Sequence, residues 1–461
     1  MIRGRILHPS PPPPPPPPPT AFRHYPPLVC GLTRQGHRFL SSLLTTQDPS
    51  AALGLLRKFV SSSSKHVALT TLSHLLSPPL PSPSNSNPRL SSLAFPLYSM
   101  IKQESWFSWN TKLVADLIAL LYKEEHFDDA ENLFSETVLK LRFKERDLCM
   151  FYCNLVESHA KHKSERGVLD SCTQLRQLIL LTSSVYVRQR GYRSMVAGFC
   201  EVGLPDKAEI LMQEMREIGL KPSVFELRSL VYGYGQMGFL EDMKRSIVQM
   251  EKDGFELDTV GCNMVLSSFG AHNELPEMLS WLKKMRNLGI PFSIRTYNSV
   301  LNSCPAINLM LEDMKKLPLS TDELLGDLKV EEANVVLELL KSTVLDHVME
   351  WGSSELKLDL HGMHLSTAYL VLLQWFKELK LRFLAGNHTI PTEISVICGC
   401  GKHSSIRGES PVKSLTKEII RRTKCPLRID RKNIGCFIGR GKVFKEWLLH
   451  KDANKNPSDT S

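Results

Sequence analysis

GFCEVGLPDKAEILMQEMREIGLKP, residues 198–222, decides the fold. Its features recur: Met215, Met250 and Met285 stand 35 residues apart, and Gly219, Gly254 and Gly289 follow each by four. Phe199, Tyr234 and Phe269 keep the same step, as do Gly203, Gly238 and Asn273. Gly and Asn enter the left-handed backbone region easily, so the last series predicts the end of a first helix and a tight turn into a second. In the first unit this gives helix A over 192–201 and helix B over 205–218, with Pro205 near the start of the second helix, where proline is tolerated. Ile210, Leu211 and Met215 supply an apolar stripe at helical spacing. One hairpin cannot bury such a stripe, so neighbours must stack into a solenoid.

Working outward, the regular units run over 189–223, 224–258 and 259–293, and a fourth, IRTYNSVLNSC, is truncated within 294–320. Upstream, residues 106–188 hold divergent units, among them LYKEEHFDDAENLF at 121–134. These segments resemble the pentatricopeptide repeat (PPR), a 35-residue helical hairpin. In that family one repeat reads one RNA base through the fifth residue of helix A and the last residue of the repeat. The resemblance therefore implies the pairs Arg193 with Ser223, Arg228 with Asp258, and Asn263 with Ser293, plus Asn298 in the truncated unit. Asn with Ser resembles a cytosine-preferring pair, whereas Arg193 and Arg228 depart from the pattern and read as phosphate or stacking contacts. A helical solenoid that binds protein is the alternative.

After a stretch read as a helical connection (321–355), the character changes. Residues 356–360 (LKLDL) and 394–398 alternate as strands, residues 366–381 and 412–422 as helices, with further strands at 427–430 and 436–438 and a last helix at 443–449. Strands alternating with helices over 356–450 indicate a small two-layer α/β domain. LDLHG at 358–362 and CGCGKHS at 398–404 resemble the small MutS-related (SMR) domain, and PLRIDRKNIGCFIGRGKVFKEWL at 426–448 extends the match. Repeats followed by this domain are the architecture of plant organellar PPR–SMR proteins. The fold implied is a helical solenoid of PPR hairpins followed by a two-layer α/β SMR domain.

That second resemblance implies cleavage of nucleic acid by a metal-dependent endoribonuclease, or a clamp that binds without cutting; the sequence leaves both open. Asp359 would hold Mg²⁺ or another divalent cation, and His361, two residues on along an extended strand, would transfer a proton. Gly399 and Gly401 would let backbone N–H groups approach a phosphate, while Lys402, His403 and Arg407 would neutralise its charge. Two departures bear on this. Cys398 stands where the family commonly has Thr, and Ser410 where it often has a second glycine. Cys398 and Cys400 are not spaced as zinc ligands and read as buried or turn thiols.

Charge is unevenly divided. Residues 1–90 carry nine Lys/Arg against one Asp/Glu, residues 91–355 carry 29 against 38, and residues 356–450 carry 17 against seven. The last excess suits a polyanion. The basic, hydroxyl-rich, acid-poor start, with nine prolines at 11–19, reads as an organelle transit peptide over about 1–50. Chloroplast is the favoured destination and mitochondrion the alternative. Residues 51–105 read as low-complexity linker and 451–461 as a disordered tail. No stretch approaches the ~18 uninterrupted apolar residues of a membrane span, so no membrane insertion is expected. Eleven cysteines without CxxC spacing make a poor disulfide framework. No HxE/CxxC deaminase pattern and no Walker GxxxxGK[ST] occurs. The expected partner is single-stranded organellar RNA, alongside proteins of organelle gene expression, and the expected role is transcript processing, stabilisation or translation.

Overall fold

A computed structural model describes residues 32–46, 48–77, 91–342, 344–386, 389–399 and 410–450. The chain forms two compact units, Met1–Leu175 and Arg176–Ser461. The division falls inside one helix, α8 (Glu165–Leu181).

The first unit begins with α1 (Arg34–Thr45), α2 (Pro49–Ser62), α3 (Lys65–Leu76) and α4 (Ala94–Ile101). Helices α2, α3 and α4 correct the expectation of a linker over 51–105. The serines at 61–64 lie at a pair of helix ends: Ser63 closes α2, and the Ser64 hydroxyl accepts from Val67 N at the start of α3. Phe39 of α1 stacks on Phe59 of α2, with ring centroids 3.8 Å apart. Then follow α5 (Thr111–Lys123), α6 (Phe127–Leu141) and α7 (Glu145–Lys161), with α5 packed on both of the others.

The second unit contains three full hairpins: α9 (Val185–Glu201) with α10 (Pro205–Glu217), α11 (Val224–Met237) with α12 (Leu240–Lys252), and α13 (Thr259–Ala271) with α14 (Leu275–Asn287). Helix α9 starts seven residues before the expected 192, because the Ser184 hydroxyl caps it by accepting from Val187 N. Gly203, Gly238 and Asn273 have φ of 82°, 77° and 59°, the left-handed turn read from the sequence. Each first helix packs on the first helix of the next unit. Small residues permit this at a repeated place. A Cβ on Gly233 would lie 2.9 Å from Cys200 Cβ, one on Gly235 2.1 Å from Ser268 Oγ, and one on Gly270 1.9 Å from Ser303 Oγ.

The truncated unit is α15 (Ile294–Leu301) with the short α16 (Pro305–Glu312). Helix α17 (Thr321–Asp327) follows, then α18 (Val330–Leu340), which packs against α14, and α19 (Val344–Val348). The expected helical connection is corrected at its end, where β1 (Met349–Trp351) is a strand. It pairs antiparallel with β2 (Glu355–Asp359) and opens a mixed five-stranded sheet in the order β1-β2-β3-β5-β4. Strand β3 (Glu393–Ile397) runs parallel to β2, and β5 (Cys436–Arg440) antiparallel to β3 and to β4 (Arg428–Ile429). Helices α20 (Leu365–Ala385), α21 (Pro411–Thr423) and α22 (Gly441–His450) accompany the sheet. They meet in an aromatic cluster of Trp375, Phe376, Phe444 and Trp447, whose indole N–H donates to Thr423 O at 2.9 Å. Gly441 of the GRGK sequence is needed for packing, since a Cβ there would lie 1.8 Å from Pro391 O.

Repeats, helical connection and C-terminal block are joined within this unit by polar contacts. Tyr297 OH donates to Leu339 O and Tyr369 OH to Pro318 O, both at 2.7 Å, and Arg422 Nη1 donates to Leu317 O at 2.6 Å. Among the described residues no helix is long and apolar enough to cross a membrane. The nine described cysteines are all buried.

Candidate nucleic-acid interface

The last residue of each regular unit is the N-cap of the next first helix. Ser223 and Ser293 form capping boxes with Glu226 and Thr296, and Asp258 accepts from Gly261 N at 2.8 Å. Capping explains the Ser or Asp at these positions before any ligand is invoked. It also sets them within reach of the fifth residue of the preceding first helix.

Two of the three expected pairs meet. Arg228 Nη2 lies 2.8 Å from Asp258 Oδ1, and Asn263 Nδ2 donates to Ser293 Oγ at 3.3 Å. Arg193 does otherwise: its guanidinium stacks on the Phe225 ring at 3.9 Å, while Ser223 is engaged with Glu226. Asn263 is only 9% exposed, and its Oδ1 is buried without a hydrogen-bond partner among the described residues. An orphaned buried acceptor is costly unless a ligand donor meets it.

A groove of about 850 Å³ opens beside it, between α13, α15 and the turn that follows β2. Among the described residues its polar lining includes Asn263, Asn298, Asn302, Asn308, Arg295 and His364, and no Asp or Glu. A carboxylate-free, amide-rich groove within a segment of acidic balance suits a ligand that is anionic along its backbone and offers hydrogen-bonding edges. His364 was not singled out from the sequence. It comes from the C-terminal block, 66 residues beyond Asn298, yet its backbone N–H donates to Asn298 Oδ1 at 3.1 Å. Asn302 Nδ2 donates to His364 Nδ1 at 2.6 Å.

Asp359 and His361 are close but not as expected. Strand β2 ends at Asp359, and His361 follows in a turn instead of two places along an extended strand. Asp359 Oδ1 accepts from His361 N at 2.8 Å, which fixes the strand end. The His361 ring rests against Gly399, whose φ is 78°, and a Cβ there would lie 3.4 Å from His361 Cδ2. Gly401, Lys402, His403 and Arg407 lie outside the described residues, as does Cys400. The described residues gather no group of three His, Cys, Asp or Glu fit for a metal ion. Cys398 is buried, with its thiol pushed up to about 12 by desolvation, and its Sγ donates to Thr416 Oγ1 at 3.3 Å. Ser410 caps α21 and its Oγ donates to Cys398 O at 3.1 Å.

The PPR repeat model matches residues 191–220 and the pentatricopeptide repeat domain model residues 246–305. The Arabidopsis thaliana pentatricopeptide repeat-containing protein At2g17033 is 52% identical over 420 residues, covering 90% of this chain and 82% of that one. This chain belongs to the pentatricopeptide repeat family. More distant relatives are the chloroplastic pentatricopeptide repeat-containing proteins At5g48730 of Arabidopsis thaliana and ATP4 of Zea mays. Each is 24% identical, over 43% and 57% of this chain, which spans 38% and 40% of their lengths. Among solved structures, PPR10 in complex with an 18-nt psaJ RNA element is similar at 17% identity and a TM-score of 0.37, over 65% of this chain and 42% of that one.

Proposed function

We propose that this PPR protein binds single-stranded RNA in the chloroplast along the first-helix face of α9, α11, α13 and α15, and acts in transcript processing, stabilisation or translation. The C-terminal block, which resembles the SMR domain, clamps the strand with its basic excess. The observation that carries the reading is Asn263, with a buried amide oxygen that has no partner among the described residues, at the position where the family's base reader belongs, beside a groove whose described lining holds no carboxylate. The clamp is favoured over cleavage because the Asp359 carboxylate already accepts from the His361 backbone.

Binding of fluorescein-labelled 20-nucleotide RNAs of random sequence, measured against salt, tests it. Affinity should fall with log salt at a slope of about −0.7 per phosphate neutralised, and Asn263→Ala should weaken binding several-fold. Salt-independent or absent RNA binding would move the function to a protein scaffold. Cleavage is tested separately by mapping new 5′ ends on organellar RNA in Mg²⁺ with wild type and Asp359→Ala. Ends made only by the wild type would replace the clamp with a nuclease.

A further inference from the structure

The truncated unit lacks a last residue to pair with Asn298, and the structure shows what stands in its place. In the complete units the partner is the N-cap of the next first helix. At Asn298 the contact comes from His364, which is the N-cap residue of α20 in the C-terminal block. The geometry is that of a repeat finished by another part of the chain.

Resting on the RNA-reading function above, we propose that Asn298 and His364 form a composite base-reading position at the end of the array, selecting cytosine or adenine over uracil or guanine. The chemistry follows from which end of the amide is engaged. A backbone N–H can only donate, so the atom of Asn298 that meets His364 N is the carbonyl Oδ1. That leaves Nδ2, which has no partner among the described residues, on the wall of the groove as a donor. At the middle of the Watson–Crick edge, cytosine N3 and adenine N1 accept a hydrogen bond, whereas uracil N3 and guanine N1 carry hydrogen and donate. A fixed donor at Asn298 pairs with the first two and confronts the last two with an N–H.

Asn263 is held the other way round. Its Nδ2 donates to Ser293 Oγ and its Oδ1 is left without a partner among the described residues, so it offers an acceptor where Asn298 offers a donor. Asn302 supports the difference by donating to the His364 ring, and Ser366 Oγ donates to Asn302 Oδ1 at 3.4 Å. His364 is thereby tied to α15 through its backbone and to the C-cap of that helix through its ring.

The test is selection of bound RNAs from a randomised 14-nucleotide pool by the full chain, followed by sequencing. Wild type should enrich C and A at one position by about tenfold, the order expected for one hydrogen bond gained against one unmet donor. Asn298→Asp keeps shape and the bond from His364 N but turns the exposed atom into an acceptor, so U and G should be enriched there instead. His364→Ala retains the backbone N–H and should keep the wild-type preference. His364→Pro removes that N–H at a φ of −72° that proline accepts, and should erase the preference at this position alone. Asn263→Ala serves as the internal control by changing a different position. If Asn263→Ala changes its position while Asn298→Asp and His364→Pro leave every preference intact, the composite site is wrong and RNA reading stands. If wild type enriches no sequence, both readings fall. Thermal melts of each variant identify any that fail to fold, and the isosteric Asn298→Asp carries the decision in that case.

Discussion

The divergent hairpin α7–α8 and the regular hairpins α9–α14 build the same turn from different residues. In the regular units a Gly or Asn adopts positive φ, and the backbone N–H one residue later bonds back five residues, as from Leu204 N to Phe199 O at 2.8 Å. Lys163 does the same with φ 55°, and Ser164 N bonds to His159 O at 3.0 Å. Glu125, between α5 and α6, has φ 63° and His126 N bonds to Leu121 O at 2.9 Å. The close approach of helices differs as well. Regular first helices meet through Gly, Ser and Cys, whereas in the divergent hairpin Gly167 makes room for an imidazole: its Cβ would lie 2.1 Å from His159 Nδ1. A hairpin is thus defined by its turn hydrogen bonds, and the residue types are one of several ways to reach them.

That buried imidazole gives the largest expected effect. His159 is 2% exposed, and burial lowers its pKa to about 4, with His162 adding repulsion. The folded pKa lies below the unfolded value near 6.5, so between the two the unfolded chain binds the extra proton. Stability is full above about pH 6.5 and falls as pH drops toward 4, by about 3 kcal/mol from this group. Urea unfolding of the first unit's helices, followed by hydrogen exchange at each pH, should show the loss, and His159→Leu should flatten that part of the slope. An unchanged slope in the variant would assign the acid sensitivity to other groups.

The regular repeats are expected to break by crowding instead. Gly270→Ala would drive a methyl into Ser303, forcing α13 away from the turn after α15 at about 1–3 kcal/mol. Gly54→Ala, on the exposed side of α2 where an added Cβ meets nothing within 4 Å, should be neutral or mildly stabilising. Comparing the two melting temperatures checks the assignment. Equal shifts would mean that the small residues between first helices are not the packing constraint.

Much of the array was legible because its constraints are local. Positive φ at Gly203, Gly238 and Asn273 leaves a mark in residue type, and buried Met215, Met250 and Met285 repeat it. Glu125 and Lys163 leave no mark, since nothing in their chemistry favours the conformation the neighbouring helices impose. Strand β1 was missed because a three-residue segment becomes a strand only through its partners, here Met349 opposite Leu358 and Trp351 opposite Leu356. The Asn298–His364 contact was invisible for the same reason at longer range: repeats and C-terminal block were read as separate objects, and only packing brings α15 to the start of α20. The 35-residue recurrence at Cys200, Gly235 and Gly270, facing Gly233, Ser268 and Ser303, was present in the sequence and could have been found.

The smallest expected effect bears most directly on the comparison. Glu125→Gly replaces a non-glycine residue held at φ 63° by the one residue that takes this conformation freely. Relief of the left-handed penalty is worth roughly 1–2 kcal/mol, and the added freedom of glycine in the unfolded chain removes roughly 0.5–1 of it. A net gain of about 0.5–1 kcal/mol should follow, read as a higher urea midpoint with an unchanged slope. Asn273→Gly, where the native residue already tolerates the turn, should gain less. If the two substitutions gain equally, residue type contributes nothing to these turns, and the divergent hairpins are as well built as the regular ones.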